Sequence, residues 1–106
     1  MEHYNWERVP KEEMSPLISR QVIHTPALTL LRTTFMRGAV VALHQHVHEQ
    51  VTTVLSGSLR LEVDGEAALL TAGGLARIPS GVPHMAEAME DTVVLDVFTP
   101  ARTDWQ

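Results

Sequence analysis

From about residue 19 onward the chain runs in short apolar and β-branched stretches, each ended by turn residues. Ile18 to His24 stops at Thr25-Pro26, and Leu28 to Phe35 stops near Arg37-Gly38. Val51 to Leu55 meets Ser56-Gly57. Leu59-Arg60-Leu61-Glu62-Val63 alternates apolar with polar and closes on Asp64-Gly65, a dipeptide suited to a two-residue hairpin turn. Ala67 to Thr71 leads into Gly73-Gly74, Leu75 to Ile78 into Pro79-Ser80-Gly81, and Thr92 to Phe98 closes before Pro100. No segment keeps a 3.6-residue period long enough for a substantial helix. This texture predicts one all-β domain, a barrel or sandwich, over residues 19–106. Residues 1–18 are broken by Pro10 and Pro16 and carry polar Lys11-Glu12-Glu13, which predicts an N-terminal arm with one helical turn at most, capped at Ser15-Pro16.

At 106 residues, with 44% hydrophobic and 20% charged positions, the chain has the size and composition of one globular domain. It contains no cysteine, which excludes disulfides, thiolate metal sites and a thiol nucleophile. Any metal must be held by imidazole, carboxylate or amide groups. Lys and Arg total 8 against 13 Asp and Glu, a net charge of -5, and the cations are scattered, so no nucleic-acid partner is expected. The longest uncharged apolar run, Ala39 to Leu43, is far short of a membrane span. The start, Met1 to Glu7, lacks the basic and apolar stretches of a signal peptide, and a cytoplasmic location is the expectation.

Four of the six histidines and a glutamine form the informative cluster. His44, His46 and Gln50 share parity, so one continuous strand would turn all three side chains to one face. Their neighbours Ala42, Leu43 and Val47 predict a segment at least half buried, where unpaired imidazoles are costly and a ligand role is favoured. His84 follows the Pro79-to-Pro83 turn, and a neighbouring strand would bring it opposite. Three imidazoles and one amide oxygen suit a divalent first-row ion. Lone His3 and His24 read as ordinary polar residues. Glu49 has the wrong parity and should face away, and His48 reads either as a support to the cluster or as a surface residue.

Gly38, His44, His46, Gln50 and Gly57 fall at the spacing of the first cupin motif, with Gln50 where the family usually has Glu. Gly73, Pro79, Gly81 and His84 resemble the second motif, with Ala88 at its usual Asn position. The resemblance covers residues 20 to 99. It implies the cupin-type small β-barrel, a double-stranded β-helix or jelly roll. It further implies one divalent metal ion per chain (Zn, Ni, Mn or Fe) held by His44, His46, Gln50 and His84. With Gln50 in place of a carboxylate the ligand set is neutral, and the site would keep the full 2+ charge, which attracts anionic or polyoxygenated ligands.

Thr92 to Phe98 places Val94, Asp96 and Phe98 on one face of a strand. A carboxylate among apolar neighbours is either paired or has a raised pKa. Arg102 is its candidate partner in a structural bridge. In the functional alternative, Asp96 is the acid/base and Arg102 clamps a substrate carboxylate. Phe98 is then an apolar wall for the substrate or plain core. The run Leu95 to Trp105 resembles the tail of the small cupins of pectin degradation that convert 4,5-unsaturated uronates to linear 4-deoxy-5-keto-uronates. That resemblance implies Asp96, Phe98 and Arg102 as lumen residues and a small anionic sugar acid as substrate. A metal-dependent dioxygenase and a non-catalytic binding cupin are the competing expectations. The apolar residues of the arm, Trp6, Val9, Leu17 and Ile18, predict packing across a second subunit in a homodimer.

Overall fold

Strands form where the alternating stretches end in glycine or proline turns, and the computed structural model, which describes residues 1–105, arranges ten of them in two antiparallel sheets. They are β1 (Glu12–Ser15), β2 (Ile18–His24), β3 (Thr29–Phe35), β4 (Val40–His44), β5 (Glu49–Ser56), β6 (Ser58–Val63), β7 (Glu66–Thr71), β8 (Leu75–Ile78), β9 (His84–Ala88) and β10 (Thr92–Thr99). One sheet has the order β1-β2-β3-β10-β5-β8 and the other β4-β9-β6-β7. This is the expected all-β jelly roll, built as two hydrogen-bonded sheets facing each other. Single 3-10 turns sit at Trp6–Arg8 and Thr103–Trp105.

The alternation in β3, β5 and β10 decides what faces inward. Leu31, Thr33 and Phe35 of β3, Gln50, Thr52 and Val54 of β5, and Val94, Asp96 and Phe98 of β10 are all buried. Register stacks Phe98 beside Gln50 and Asp96 beside Thr52. Phe35, Ala39, Val54, Leu59, Ala88 and Val94 form the apolar core, drawn from both sheets, and Phe35, Leu59 and Val94 also line the interior cavity. The polar residues of β5 and β10 lie toward the end where the site opens. The β6–β7 hairpin turns at Asp64 (φ 50°) and Gly65 (φ 80°), both left-handed as the dipeptide predicts.

The N-terminal segment departs from the expected arm. Glu12–Ser15 pairs with β2 as the edge strand of the larger sheet, and Pro16-Leu17 make a hairpin turn rather than the start of a helix. Charged Glu12 and Glu13 stand exposed on this edge, so no apolar alternation marks it. Trp6 and Val9 are tied to their own chain, because Gln21 Nε2 donates to both of their carbonyls.

Candidate metal centre

His44 and His84 face each other as register partners across β4 and β9, their rings 4.2 Å apart. His46 lies beyond the end of β4, with its ring 4.9 Å from that of His84, and Gln50 is on β5 of the other sheet. The single strand that parity predicts from His44 to Gln50 does not form. The chain bends at Val47-His48 to cross from one sheet to the other. The bend is held by the next motif: Gly81 N–H donates to the His46 carbonyl and the Ser80 hydroxyl to that of Val47. The burial expected for this stretch also fails. Leu43 is 65% and Val47 71% exposed, because they lie on an edge strand and a bend. His44, His46 and His84 converge nonetheless, with one ring nitrogen of each within 4.8 Å of the others.

Each ring is oriented by its own backbone. Nδ1 of His44 donates to the Ala42 carbonyl, that of His46 to His48 and that of His84 to Val82, at 2.8–2.9 Å. A carbonyl only accepts, so in the neutral ring the proton sits on Nδ1 and Nε2 presents a lone pair. Burial first, then nearby positive groups including Arg102, push the pKa of His46 below the ordinary range; burial and positive groups also lower that of His84. Both rings are therefore held neutral, as metal ligation requires.

Two observations test the fit of a dication to these donors. His84 Nε2 is buried without a hydrogen-bond partner, which costs about 1–3 kcal/mol if nothing satisfies it. Gln50 Oε1 lies 3.1 Å from His46 Nε2, although its amide nitrogen is fixed toward Thr52 and Asp96. In the neutral cluster two lone pairs thus face each other. Two donors at right angles on one ion, each at about 2.1 Å, sit about 3 Å apart. The donors fit a first-row dication. The three-histidine spread of 4.8 Å is slightly wider than the ~4.2 Å that ligands on opposite sides of such an ion span.

Asp96 joins this cluster through Gln50. Its Oδ1 accepts from Gln50 Nε2 at 3.0 Å and from the Thr52 hydroxyl at 2.6 Å. Burial pushes its carboxyl up to about 6, while these two hydrogen bonds pull it down. Arg102 is not its partner. The Arg102 guanidinium forks onto Asp104, Nε to Oδ1 at 3.1 Å and Nη2 to Oδ2 at 2.9 Å. Its backbone N–H is pinned by the buried Thr29 hydroxyl at 2.8 Å. The bridge from Asp96 to Arg102 is thereby replaced by two separate pairings.

Phe98 is 3% exposed and stands edge-on to His46 at 5.7 Å and to Trp105 at 5.3 Å. It lines a cavity of about 410 Å³ together with His44, Gln50, His84, Asp96 and Arg102. Every candidate side chain except His46 is on that lining, and His46 touches it through Phe98 and Gln50.

Residues 31–98 match the Cupin domain family. The chain belongs to the cupin family. The pectin degradation protein KdgF of Dickeya dadantii is 28% identical over 102 residues, 93% of each chain. The solved structure of KdgF from Halomonas sp. superposes with a TM-score of 0.94 at 33% identity, covering 100% of this chain and 99% of that one. An acireductone dioxygenase of Gluconacetobacter diazotrophicus is 38% identical over 87 residues, which are 76% of this chain and 45% of that enzyme. No helix among the described residues is long and apolar enough to cross a membrane.

Around the cupin site, Glu49 points away and pairs with Arg77 at 2.7 Å, as parity predicts. His48 is buried, its Nε2 3.9 Å from Asp104 Oδ1 and its Nδ1 without a partner. His24 hydrogen-bonds Thr29 and His3 is exposed. The residues that the sequence reading misses are Thr52, Asp104, Trp105 and Arg20. Thr52 was within reach, since it shares the face of Gln50 two residues on. Arg20 was not, because its role depends on where the distant C-terminal turn lands.

Proposed function

We propose that this cupin is a metal-dependent enzyme that opens 4,5-unsaturated uronates and converts them to linear 4-deoxy-5-keto-uronates. The observation that carries the reading is the buried Asp96 carboxyl, one amide away from the three-histidine cluster, in the same cavity as a guanidinium. The similarity to KdgF points the same way. His44, His46, Gln50 and His84 would hold one divalent ion, Zn, Ni, Mn or Fe, which supplies Lewis-acid polarisation of substrate oxygens.

The reaction is an isomerisation, with no atom gained or lost. The anomeric hydroxyl gives up its proton to Asp96 as the bond from the anomeric carbon to the ring oxygen breaks, leaving an aldehyde and an enolate. That proton then enters the former alkene carbon at position 4, and the enolate oxygen becomes the 5-keto group. Asp96 thus accepts the proton and delivers it, a role its raised pKa suits near neutral pH. Arg102 binds the substrate carboxylate with the N–H groups that Asp104 leaves free. Phe98 shapes the wall beside the sugar and keeps water from it.

In this reading the protein works in the cytoplasm as a homodimer on a small anionic sugar acid. Light scattering at micromolar concentration that shows a monomer removes the dimer. The test of the reaction is incubation of metal-loaded protein with unsaturated galacturonate. Loss of the conjugated enol-ether absorbance above the spontaneous rate is expected, and no acceleration with Zn, Ni, Mn or Fe contradicts it. The dioxygenase similarity favours a second reading, in which the three histidines hold Fe(II) for oxygen chemistry. An oxygen electrode separates them, because the isomerisation consumes none.

A further inference from the structure

The C-terminal 3-10 turn lays the Trp105 indole against the cavity that holds the candidate site. Two guanidinium groups lie over that ring, Arg102 at 4.1 Å and Arg20 at 4.7 Å from its centre. Arg20 comes from β2, three strands along the same sheet from the β5 strand of Gln50, and its side chain also lines the cavity. The two arginines are held alike. Arg102 uses Nε and Nη2 on Asp104, and Arg20 uses Nε and Nη2 on Glu12 at 3.2–3.4 Å. A guanidinium has five N–H donors, so each keeps its Nη1 end uncommitted to these carboxylates. Trp105 also meets Phe98 edge-on, which fixes the indole against the cavity wall.

We propose that Trp105, braced by Arg20, is a positioning residue that aims the free end of the Arg102 guanidinium at a ligand carboxylate in the cavity. The backbone of Arg102 is pinned by Thr29, but its long, flexible side chain needs its plane fixed as well. Asp104, half exposed on a single turn, fixes one edge, and the indole face fixes the plane. The neutral donor set of the candidate metal site and two guanidiniums at the cavity leave it attractive to an anion and not to a neutral sugar. This inference rests on the carboxylate-binding role given to Arg102 above, and it makes carboxylate recognition depend on a residue that acts through Arg102.

The experiment uses the full-length metal-loaded protein with galacturonate, a saturated and unreactive carboxylate probe, and with galactose as the uncharged control. Calorimetry is run on the wild type, Trp105→Leu, Trp105→Phe, Arg20→Met and Arg102→Gln. Trp105→Leu keeps apolar bulk over Phe98 but loses the aromatic face. It should weaken galacturonate binding about tenfold, raise KM for unsaturated galacturonate similarly, and leave kcat within about twofold. Trp105→Phe should restore most of the loss, and Arg20→Met should show a smaller loss in the same direction. Galactose binding should not respond to any of them. A folded Trp105→Leu with unchanged galacturonate affinity overturns the positioning role; should it not fold, unchanged affinity in Arg20→Met overturns the brace. If Arg102→Gln itself binds galacturonate as the wild type does, the carboxylate role of Arg102 fails, which is a different result from failure of Trp105 alone.

Discussion

Gln50 Nε2 donates to Asp96 Oδ1 at 3.0 Å, joining the amide that faces the histidines to the only side-chain carboxylate among the described residues on the cavity lining. The bond runs between neighbouring strands β5 and β10, whose register places Gln50 beside Phe98 and Thr52 beside Asp96. It fixes the amide so that its oxygen turns to His46. Whatever occupies the cluster is therefore wired to Asp96 through one side chain.

Asp96→Asn keeps the shape of this network and an oxygen for the Thr52 and Gln50 donors, but it carries no titrating proton. Turnover of unsaturated galacturonate should fall about 10²–10⁴-fold. Metal content should stay at the wild-type level, and the melting temperature should hold or rise, since a buried carboxyl is replaced by a neutral group. A rate close to wild type would remove Asp96 from the chemistry.

Gln50→Glu removes the amide donor and sets two carboxyl groups against each other in a buried place. Two carboxylates this close do not both stay ionised. The variant should still bind metal, now with a compensated charge. Its apo form should be less stable by about 1–3 kcal/mol. Steady-state kinetics should show kcat down about tenfold or more, and unchanged kcat with unchanged stability would contradict the wiring.

How much of this was legible in the sequence differs by element. The face shared by Val94, Asp96 and Phe98 was legible from strand parity in the β-branched run Thr92 to Phe98, but both faces are apolar in sequence, and it is the pairing with β3 and β5 that turns this one inward. The cluster of His44, His46, Gln50 and His84 was legible as a set but not as a geometry. Parity places three of them on one strand, and the structure gathers them from β4, a bend, β5 and β9. The reason is that turns held by partners far along the chain, such as Ser80 and Gly81 on the His46–Val47 bend, leave no local signature. β9 likewise lacks β-branched residues, and it is a strand because β4 and β6 flank it. The Arg102–Asp104 fork closes because the 3-10 turn brings residues two apart together, whereas the sequence marks only Asp96, a lone carboxylate in an apolar strand, as a partner for Arg102.

Asp104 makes a pH-dependent contribution of known sign. The hydrogen bonds from Arg102, chiefly, hold its carboxyl down at about 2, well below the usual carboxylate range. Its stabilisation is thus present above the ordinary carboxylate pKa and is lost as pH falls through its own. The group is half exposed, so solvent screening keeps the effect small. Melting temperatures of wild type and Asp104→Asn should differ by a constant amount above about pH 5, and the gap should shrink as pH falls from about 4 toward about 2. A gap that widens on acidification would refute the pairing.

Gly57 is the turn position with no substitute. Its φ is +88°, and a Cβ there would strike the Asp91 carbonyl and the Thr92 backbone. Gly57→Ala should cost about 3 kcal/mol or more in chemical denaturation. Gly38→Ala, with the same φ and open space around it, should cost only the conformational strain of about 1–3 kcal/mol. Equal losses in the two variants would show that the close approach at Gly57 does not exist in solution.

The central claim is that one dication sits among three imidazoles and the Gln50 carboxamide. Anomalous diffraction from crystals grown with nickel tests it most directly. The account predicts a single strong peak per chain within bonding distance of Nε2 of His44, His46 and His84 and of Gln50 Oε1, with Gln50 Nε2 still on Asp96. No peak at that point, or a peak there with the Gln50 amide swung away, would contradict it.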